Sequence, residues 1–360
     1  MTHDRPEKGG DTEMIFMRTI SQAIALSVTL LGVQTAALAQ ISTPVQVKAA
    51  DPAANRNFGN SVSISGDTMV IGSPSNANDG SVYVFRWNGT AWTQEQKISG
   101  PNIVAGPQTG FGRVVAISGN TMVIGANVDD TAATDAGAAF VYERIAGVWN
   151  LQQKLTASNA AANDNFSDAI AIDGDTIVVA APSADSGGTD RGSVYAFVRS
   201  GSVWSQQAIL PAITGAANGD KVGEGNALSI NGDTVAVGAR SAASNNGRVG
   251  LYKRQIATWN LDTTLSSPDS GTDTTGRFGS SVSVRGDALA VGALTSVKTV
   301  TTGGGAYVYR RTSGTWGASS SGVLVVPAGL ANGDNYGGAL SLGNDFLVVG
   351  AQGGPANTGS

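Results

Sequence analysis

The sequence predicts an all-β protein, on three observations. Of its 360 residues, 49 are glycine and only 14% are charged, a composition that favours many turns over long helices. The apolar residues fall in short runs bounded by Gly, Asn and Asp, as strands joined by turns require. One stretch, FGNSVSISGDTMVIGSP from Phe58, returns along the chain in further copies. Together these features predict a tandem array of antiparallel strands.

The first 39 residues predict an export signal. Arg18 precedes an apolar segment at residues 23–33, and Ala37-Leu38-Ala39 has the small-residue pattern at which signal peptidases cut. We therefore expect residues 1–39 to be an extension plus signal peptide cleaved after Ala39, and the mature protein to be secreted, periplasmic or on the cell surface. The segment is too short to span a bilayer and no later one is long enough, so no membrane span is expected; a helix lying on a membrane is the alternative.

The mature chain carries few side chains that do chemistry. From Gln40 onward it has no Cys and no His, which excludes Ser-His-Asp and Cys-His catalysis, His or Cys zinc sites and disulfides. Carboxylate chemistry and cation binding through oxygen remain. A net charge of -5 without a basic run predicts no nucleic-acid binding.

Six copies of the opening stretch can be recognised, beginning near residues 58, 111, 166, 222, 278 and 336. Aligned on the glycine that Gly66 represents, they are 53, 55, 58, 54 and 58 residues apart, and the copy at Val222 is the most divergent. A third run such as GSVYVFR at Gly80 and a fourth such as WTQEQKI at Trp92 follow each of the first five copies. Four runs per repeat predict a four-stranded antiparallel blade.

The second run of each repeat is continuously apolar, as in Met69-Val70-Ile71, so both of its faces should be covered. Blades arranged radially around an axis provide that cover and leave only short edges. We predict a β-propeller over residues 40–360 with about six blades, the last incomplete; a β-helix is the weaker alternative. Because the last copy stops after two runs, we expect the natural protein to complete this blade, and a seventh is compatible with the pattern.

Glycine positions in the repeat predict structure and not chemistry. Gly66-Asp67 separates two apolar runs by two residues and suits a primed hairpin turn. Gly59 and Gly72 are expected where backbones approach closely.

The pairing of Phe58-Gly59 with Gly72-Ser73-Pro74, and its equivalents over residues 41–360, resembles FG-GAP repeats. The resemblance implies a propeller like that of integrin α chains and many exported bacterial proteins; Kelch repeats are the alternative. Many FG-GAP repeats hold calcium in an Asp-rich loop between the first two strands. The equivalent connection in this chain is only a turn at residues 65–68, so those sites are not expected to carry over.

The most variable loops are predicted to share one face, made of the strand 2–3 loops and the crossings between blades, and such loops commonly bind ligands. No cofactor is required, but calcium or another divalent cation could lie among aspartates of two consecutive blades, with loop capping as the alternative. The cation candidates are Asp129, Asp130, Asp135, Asp185 and Asp190. The ligand-face candidates are Asp79, Asp129, Asp190 and Trp87, of which Trp87 could stack on a sugar or pack against its own turn.

Other charged and polar residues have structural roles in this prediction. Ion pairs worth about 0–1 kcal/mol each are expected on the opposite face. They join Asp67 to Arg86, Asp175 to Arg199, and Asp287 to Arg310. Four residues that precede the Phe-Gly position are expected to cap loops: Asn163, Asp164, Asp220 and Asp334.

Two functions fit the sequence. The leading one is a non-catalytic, exported scaffold that binds or adheres to a protein or glycan through the variable face. The alternative is a carbohydrate-active enzyme, a glycosidase or lyase, with two carboxylates about 5–10 Å apart near the axis. Glu224 is its only candidate residue. The sequence leaves the oligomeric state open.

Overall fold

A computed structural model describes residues 46–51, 57–74, 80–100, 109–268, 276–296, 303–327, 329–331 and 333–353. The predicted signal peptide at residues 1–39, the ligand candidate Asp79 and the end of the chain at 354–360 lie outside these residues. Within them, no helix is both long and apolar enough to cross a membrane.

The strands form antiparallel sheets that follow chain order, one sheet per repeat, and we number these sheets blades 1 to 6. Blade 1 contains β1 (Ser61–Ser65), β2 (Thr68–Ser73), β3 (Ser81–Trp87) and β4 (Trp92–Ser99). Blade 2 contains β5 (Val115–Ser118), β6 (Thr121–Ala126), β7 (Ala138–Ile145) and β8 (Val148–Leu155). Blade 3 contains β9 (Ala169–Asp173), β10 (Thr176–Ala181), β11 (Ser193–Ser200) and β12 (Val203–Ile209). Blade 4 contains β13 (Leu228–Asn231), β14 (Thr234–Ala239), β15 (Arg248–Gln255) and β16 (Thr258–Ser266). Blade 5 contains β17 (Phe278–Arg285), β18 (Ala288–Ala293), β19 (Gly305–Thr312), β20 (Thr315–Trp316) and β21 (Val323–Val325). Blade 6 contains β22 (Tyr336–Leu342) and β23 (Leu347–Ala351).

Two blades depart from the four-stranded plan. In blade 5 the outer strand is split into β20 and β21, both paired to β19, with a 3-10 turn at Ser319–Ser321 between them. Within the described residues blade 6 has two strands, as its sequence copy predicts. A short helical segment at Ala242–Asn245 lies between β14 and β15. The predicted all-β propeller of four-stranded blades is confirmed.

The predicted hairpin turn is also confirmed. Ser65 pairs with Thr68, so Gly66 and Asp67 form a two-residue loop, and Gly66 has a φ of 59°. A positive φ at the first loop residue defines the primed turns and favours glycine.

The core lies between blades. All six residues are buried in each of β2, β6, β10, β14 and β18. One apolar cluster joins Val70 and Val84 of blade 1 to Met122 and Tyr142 of blade 2, and comparable clusters join the following pairs of blades up to blade 5. Each blade therefore needs its neighbours to cover both faces of its second strand, as the continuous apolar runs predicted.

Hydrogen bonds at the ends of the first four inner strands fix the next blade beside each of them. Oxygens of four such residues accept the N–H of the turn glycine in the following blade. The pairs are Ser65 with Gly119 at 2.9 Å, Ser118 with Gly174 at 3.1 Å, Asp173 with Gly232 at 2.6 Å and Asn231 with Gly286 at 2.8 Å.

The predicted close approach of backbones holds for Gly72 and fails for Gly59. A Cβ on Gly72 would lie 2.0 Å from the carbonyl oxygen of Gly112 in blade 2. Around Gly59 the described residues leave open space, although its φ is 94°. Gly112, at the equivalent position of blade 2, does meet a neighbour, because a Cβ there would lie 2.7 Å from the Ser81 oxygen of blade 1. The close approach therefore needs a preceding blade against the glycine.

Candidate binding face

The strand 2–3 loops and the blade crossings lie on one face, as predicted. The crossing into each blade pairs with the 2–3 loop of the blade before it. The N–H of Phe166 donates to the Ala136 oxygen at 2.8 Å, and that of Val222 donates to the Arg191 oxygen at 2.9 Å. We call this surface the loop face.

Polar residues that start the inner strands surround the centre of the loop face. They lie six positions before the turn glycine, and blade 6 has Gly338 at this position, six before Asn344. We call the set the axial collar: Asn60, Arg113, Asp168, Asn226, Ser280 and Gly338. The Asn226 side chain donates to the Gly338 oxygen at 3.2 Å, although these residues belong to blades 4 and 6. A contact between non-consecutive blades indicates that the collar lies at the axis.

Asp168 orients Arg113 within the collar. Its side chain is 9% exposed, and its carboxylate accepts the N–H of Gly225 at 2.9 Å and pairs with Arg113 Nε at 3.3 Å. The Arg113 side chain is 54% exposed, so its guanidinium faces solvent while the buried carboxylate orients it. The sequence prediction did not include this group; its signal was a polar residue six positions before the turn glycine in each of the first five repeats.

Glu224 lies beside the collar without joining it. Aligned on the turn glycine, blade 4 has two extra residues, Glu224 and Gly225, before Asn226. The Glu224 carboxylate pairs with Arg240 at 2.9 Å.

The five aspartates of the predicted cation site are not gathered as a cation would require. Asp129 is fully buried and accepts from Lys154 Nζ at 2.7 Å and from the Thr131 N–H at 3.0 Å. Asp130 accepts the N–H of Asp135 at 2.7 Å, and Asp185 accepts that of Asp190 at 2.9 Å. In the part of the chain that the structure describes, no three His, Cys, Asp or Glu side chains could hold a common ion. These contacts match the loop-capping alternative.

Trp87 was assigned to the wrong face. It is the last residue of β3, and this strand runs from the loop face to the opposite face. Its ring packs against Trp92 at 5.6 Å between centroids. In three later blades an arginine stands at the position of Trp87 and packs over the tryptophan equivalent to Trp92. The distances from the arginine Cζ to the ring centroid are 5.4, 5.2 and 5.3 Å for Arg199, Arg254 and Arg311.

Two of the three predicted ion pairs are confirmed. Arg86 pairs with Asp67 at 2.7 Å and Arg199 pairs with Asp175 at 2.5 Å. Asp287 pairs with Arg311 at 2.8 Å and not with Arg310 as predicted. Arg310 lies opposite Ala288 in the strand register, so the following residue faces Asp287.

The predicted loop caps are confirmed for three aspartates. Asp164, Asp220 and Asp334 each accept an N–H from the alanine three residues earlier, at 2.8, 2.7 and 2.6 Å. Asn163 instead occupies a left-handed backbone position, with a φ of 67°. Burial raises the pKa of the Asp164 carboxyl above its ordinary value.

A pocket of about 250 Å³ opens between blades 3 and 4, lined by the 2–3 loop of blade 3 and the crossing into blade 4. The sequence shows that the fourth repeat is divergent, but it predicts no pocket there. The signal was the loss of two aromatic residues from that repeat, Val222 and Gly250 standing where other repeats have rings.

The comparison with protein families agrees with the blades. A family model described as FG-GAP repeat matches residues 45–85, 92–142, 149–197 and 259–309. Each match after the first begins on an outer strand and ends in the third strand of the next blade, and the divergent blade 4 repeat falls between the matches. No curated protein matches the chain significantly. Because the four matches cover more than half of its residues, the chain belongs to the FG-GAP repeat family.

Proposed function

We propose that this chain is an exported, non-catalytic scaffold that binds a protein or glycan through its loop face. The observation that carries the proposal is the axial collar. Arg113 is exposed, yet its guanidinium is oriented by the buried Asp168 carboxylate. A guanidinium held in place loses little conformational entropy on binding and presents several donors to a carboxylate or to sugar hydroxyls.

The carboxylates near the axis support a binding role over the enzyme alternative. A glycosidase needs two carboxyl groups that reach the same sugar bond, one as an acid and one as a nucleophile or base. Asp168 is engaged with Arg113 and Gly225, and Glu224 with Arg240. Both carboxylates therefore have structural partners on the loop face.

A binding screen tests the proposal. The purified chain is applied to glycan and protein arrays in calcium and in EDTA, and each hit is remeasured in solution with Arg113→Gln. We expect binding to survive EDTA and to weaken by about tenfold in the variant, as expected for loss of a charged hydrogen bond. The matched control is Arg310→Gln, whose side chain is exposed on the opposite face.

Two outcomes would contradict the proposal, the first its loop-face assignment and the second its non-catalytic role. One is a hit that Arg113→Gln leaves unchanged and Arg310→Gln weakens, since the ligand would then use the opposite face. The other is cleavage of a glycan that Glu224→Gln abolishes, which would support the carboxylate enzyme.

Export is tested separately by sequencing the N-terminus of the protein secreted by its host. We expect it to begin at Gln40, and an intact N-terminus in the cytoplasm would contradict export.

A further inference from the structure

Blade 4 lacks both rings of an aromatic pair that other blades contain. In blade 3, Phe166 contacts Tyr195 edge-on, with 5.4 Å between ring centroids. In blade 5, Phe278 contacts Tyr307 in the same way at 5.7 Å. Strand register identifies the counterparts in blade 4, because Tyr195, Tyr307 and Gly250 each pair with the fifth residue after the turn glycine. The phenylalanine position is Val222, so two rings are missing from one place.

The pocket opens beside Val222, one of the two positions where a ring is missing. Val222 and Tyr252 line it together with Val194, Leu210 and Ile213. A Cβ on Gly250 would lie 2.8 Å from Ile213 and 3.1 Å from the Tyr252 ring, so these side chains occupy part of the vacated space. The Tyr252 hydroxyl donates to the Pro211 oxygen at 2.8 Å and fixes this wall. The remaining space, about 250 Å³, therefore has one apolar wall, while Ser186, Ser193 and Arg191 make the rest of its lining polar.

A single cationic side chain lies at the rim. Arg191 lines the pocket and donates to the backbone oxygen of Ser186. A Cβ on Gly187 would lie 2.3 Å from Arg191 Nη2, so this glycine makes room for the guanidinium. Among the described residues no carboxylate forms an ion pair with Arg191, and the neighbouring Asp185 and Asp190 do not line the pocket.

We propose that the pocket between blades 3 and 4 binds a small aromatic carboxylate, with its ring against Val222 and Tyr252 and its carboxylate on Arg191. The volume fits one ring with a short substituent. An apolar cavity of about 150 Å³ admits benzene, and pockets for drug-sized ligands begin at about 300 Å³. A guanidinium with free donors favours a carboxylate over a neutral group.

The first experiment compares four probes on the full chain by ligand-observed NMR and calorimetry. Benzoate and phenylacetate carry both recognised groups, benzyl alcohol carries the ring alone, and acetate carries the carboxylate alone. We expect benzoate and phenylacetate to bind, benzyl alcohol to bind about tenfold more weakly, and acetate not to bind. Failure of every ring compound to bind at about 10 mM would overturn the proposal.

The second experiment uses two variants to place the site. Val222→Phe restores the ring of the other blades and should abolish benzoate binding while the melting temperature is kept or raised. Arg191→Gln should weaken benzoate about tenfold and change benzyl alcohol by less than about twofold, and Arg310→Gln is its matched control. Unchanged benzoate binding in a folded Val222→Phe protein would overturn the site. If that variant does not fold, Arg191→Gln decides, because an equal effect on both ring probes overturns the assigned carboxylate contact.

This inference does not depend on the proposed function. Arg113→Gln, which removes the exposed cation of the collar, should leave benzoate binding unchanged. Loss of array binding without loss of benzoate binding would therefore separate the two sites.

Discussion

The interface between blades 2 and 3 and the interface between blades 3 and 4 share a backbone plan but differ in how they are filled. At the first, Phe166 is fully buried and contacts both Tyr195 and Phe197. At the second, Val222 and Gly250 replace the phenylalanine and its first partner, and a pocket remains. The outer strands differ too. Gln153 binds both the N–H and the oxygen of Trp204, whereas Ala208 occupies its position in the following blade.

The two interfaces also share contacts at the edges of the sheets. The incompletely filled interface keeps one hydrogen bond at the inner edge and one at the outer edge of the sheet. Asp173 accepts from Gly232 at 2.6 Å on the inner side, and the Trp259 indole donates to Gln207 at 3.0 Å on the outer side. These two edge hydrogen bonds are therefore kept in both interfaces, while the apolar side chains that fill the space between them differ.

The largest predicted effect comes from removing the ring at the filled interface. Phe166→Ala should lower the free energy of unfolding by about 3–5 kcal/mol, because it leaves a large cavity among buried side chains. Val222→Ala should cost only about 1 kcal/mol, since its neighbours already border a pocket. Chemical denaturation of both variants measures the difference. Equal losses of unfolding free energy would show that the two interfaces are energetically alike and would contradict this prediction.

Gly125→Ala should be the next most damaging change. A Cβ at Gly125 would lie 2.8 Å from the backbone oxygen of Ser167 in blade 3, and a backbone atom cannot move aside cheaply. Overpacking of this kind costs about 1–3 kcal/mol. The equivalent residue of blade 3 is Ala180, which faces Gly223, and because Gly223 has no side chain the 3–4 interface accommodates the methyl. The reciprocal Ala180→Gly is the control and should cost less than Gly125→Ala in the same denaturation assay.

Substitutions at the contact between outer strands should have smaller effects on stability, of opposite sign at the two interfaces. Gln153→Ala removes two hydrogen bonds to the Trp204 backbone, of 2.7 and 2.8 Å, and should cost about 1–2 kcal/mol. Ala208→Gln places the same side chain at the 3–4 interface and should stabilise by up to about 1 kcal/mol. Opposite shifts in melting temperature would support the equivalence of the two positions. Destabilisation by both variants would indicate that blade 4 lacks the geometry to receive the glutamine.

The sequence predicted the fold because its strongest signals are repeated. The apolar second runs and Gly-Asp turns each occur several times, so blade architecture, turn type and the shared loop face could all be derived. Features that depend on one repeat were less accessible. To predict that Asp287 pairs with Arg311 and not with Arg310 requires the strand register. To predict the face on which Trp87 lies requires knowing that β3 ends there, on the side opposite the loop face.

The site was harder to predict because it depends on differences between repeats. Asp168 and Arg113 are ordinary polar residues until the blades bring them together, and a pair distance of 3.3 Å cannot be read from one chain position. The pocket follows from two substitutions 28 residues apart, Val222 and Gly250, whose shared location only the register reveals.

The smallest predicted effect concerns the loop that leads into the filled interface. Burial raises the pKa of Asp164 above 3.8, with a further contribution from Asp185, while the Ala161 N–H opposes the shift. A carboxyl whose pKa is higher in the folded state makes the protein less stable as pH rises through that range, because folding then buries a charge. Asp164→Asn keeps an oxygen for Ala161 and cannot ionise. Its stability should match the wild type near pH 3 and exceed it by less than about 1 kcal/mol near pH 7.

Urea denaturation at both pH values tests this, with Asp220→Asn as the matched cap at the 3–4 interface, where the carboxylate accepts from Ala217 at 2.7 Å. An Asp164→Asn protein that is equally destabilised at pH 3 and pH 7 would mean that the cap geometry outweighs the buried charge. Asp164 and Asp220 cap equivalent turns, two residues before Phe166 and Val222. If only Asp164→Asn gives a pH-dependent increase in stability, the two interfaces also differ in the loops that precede them.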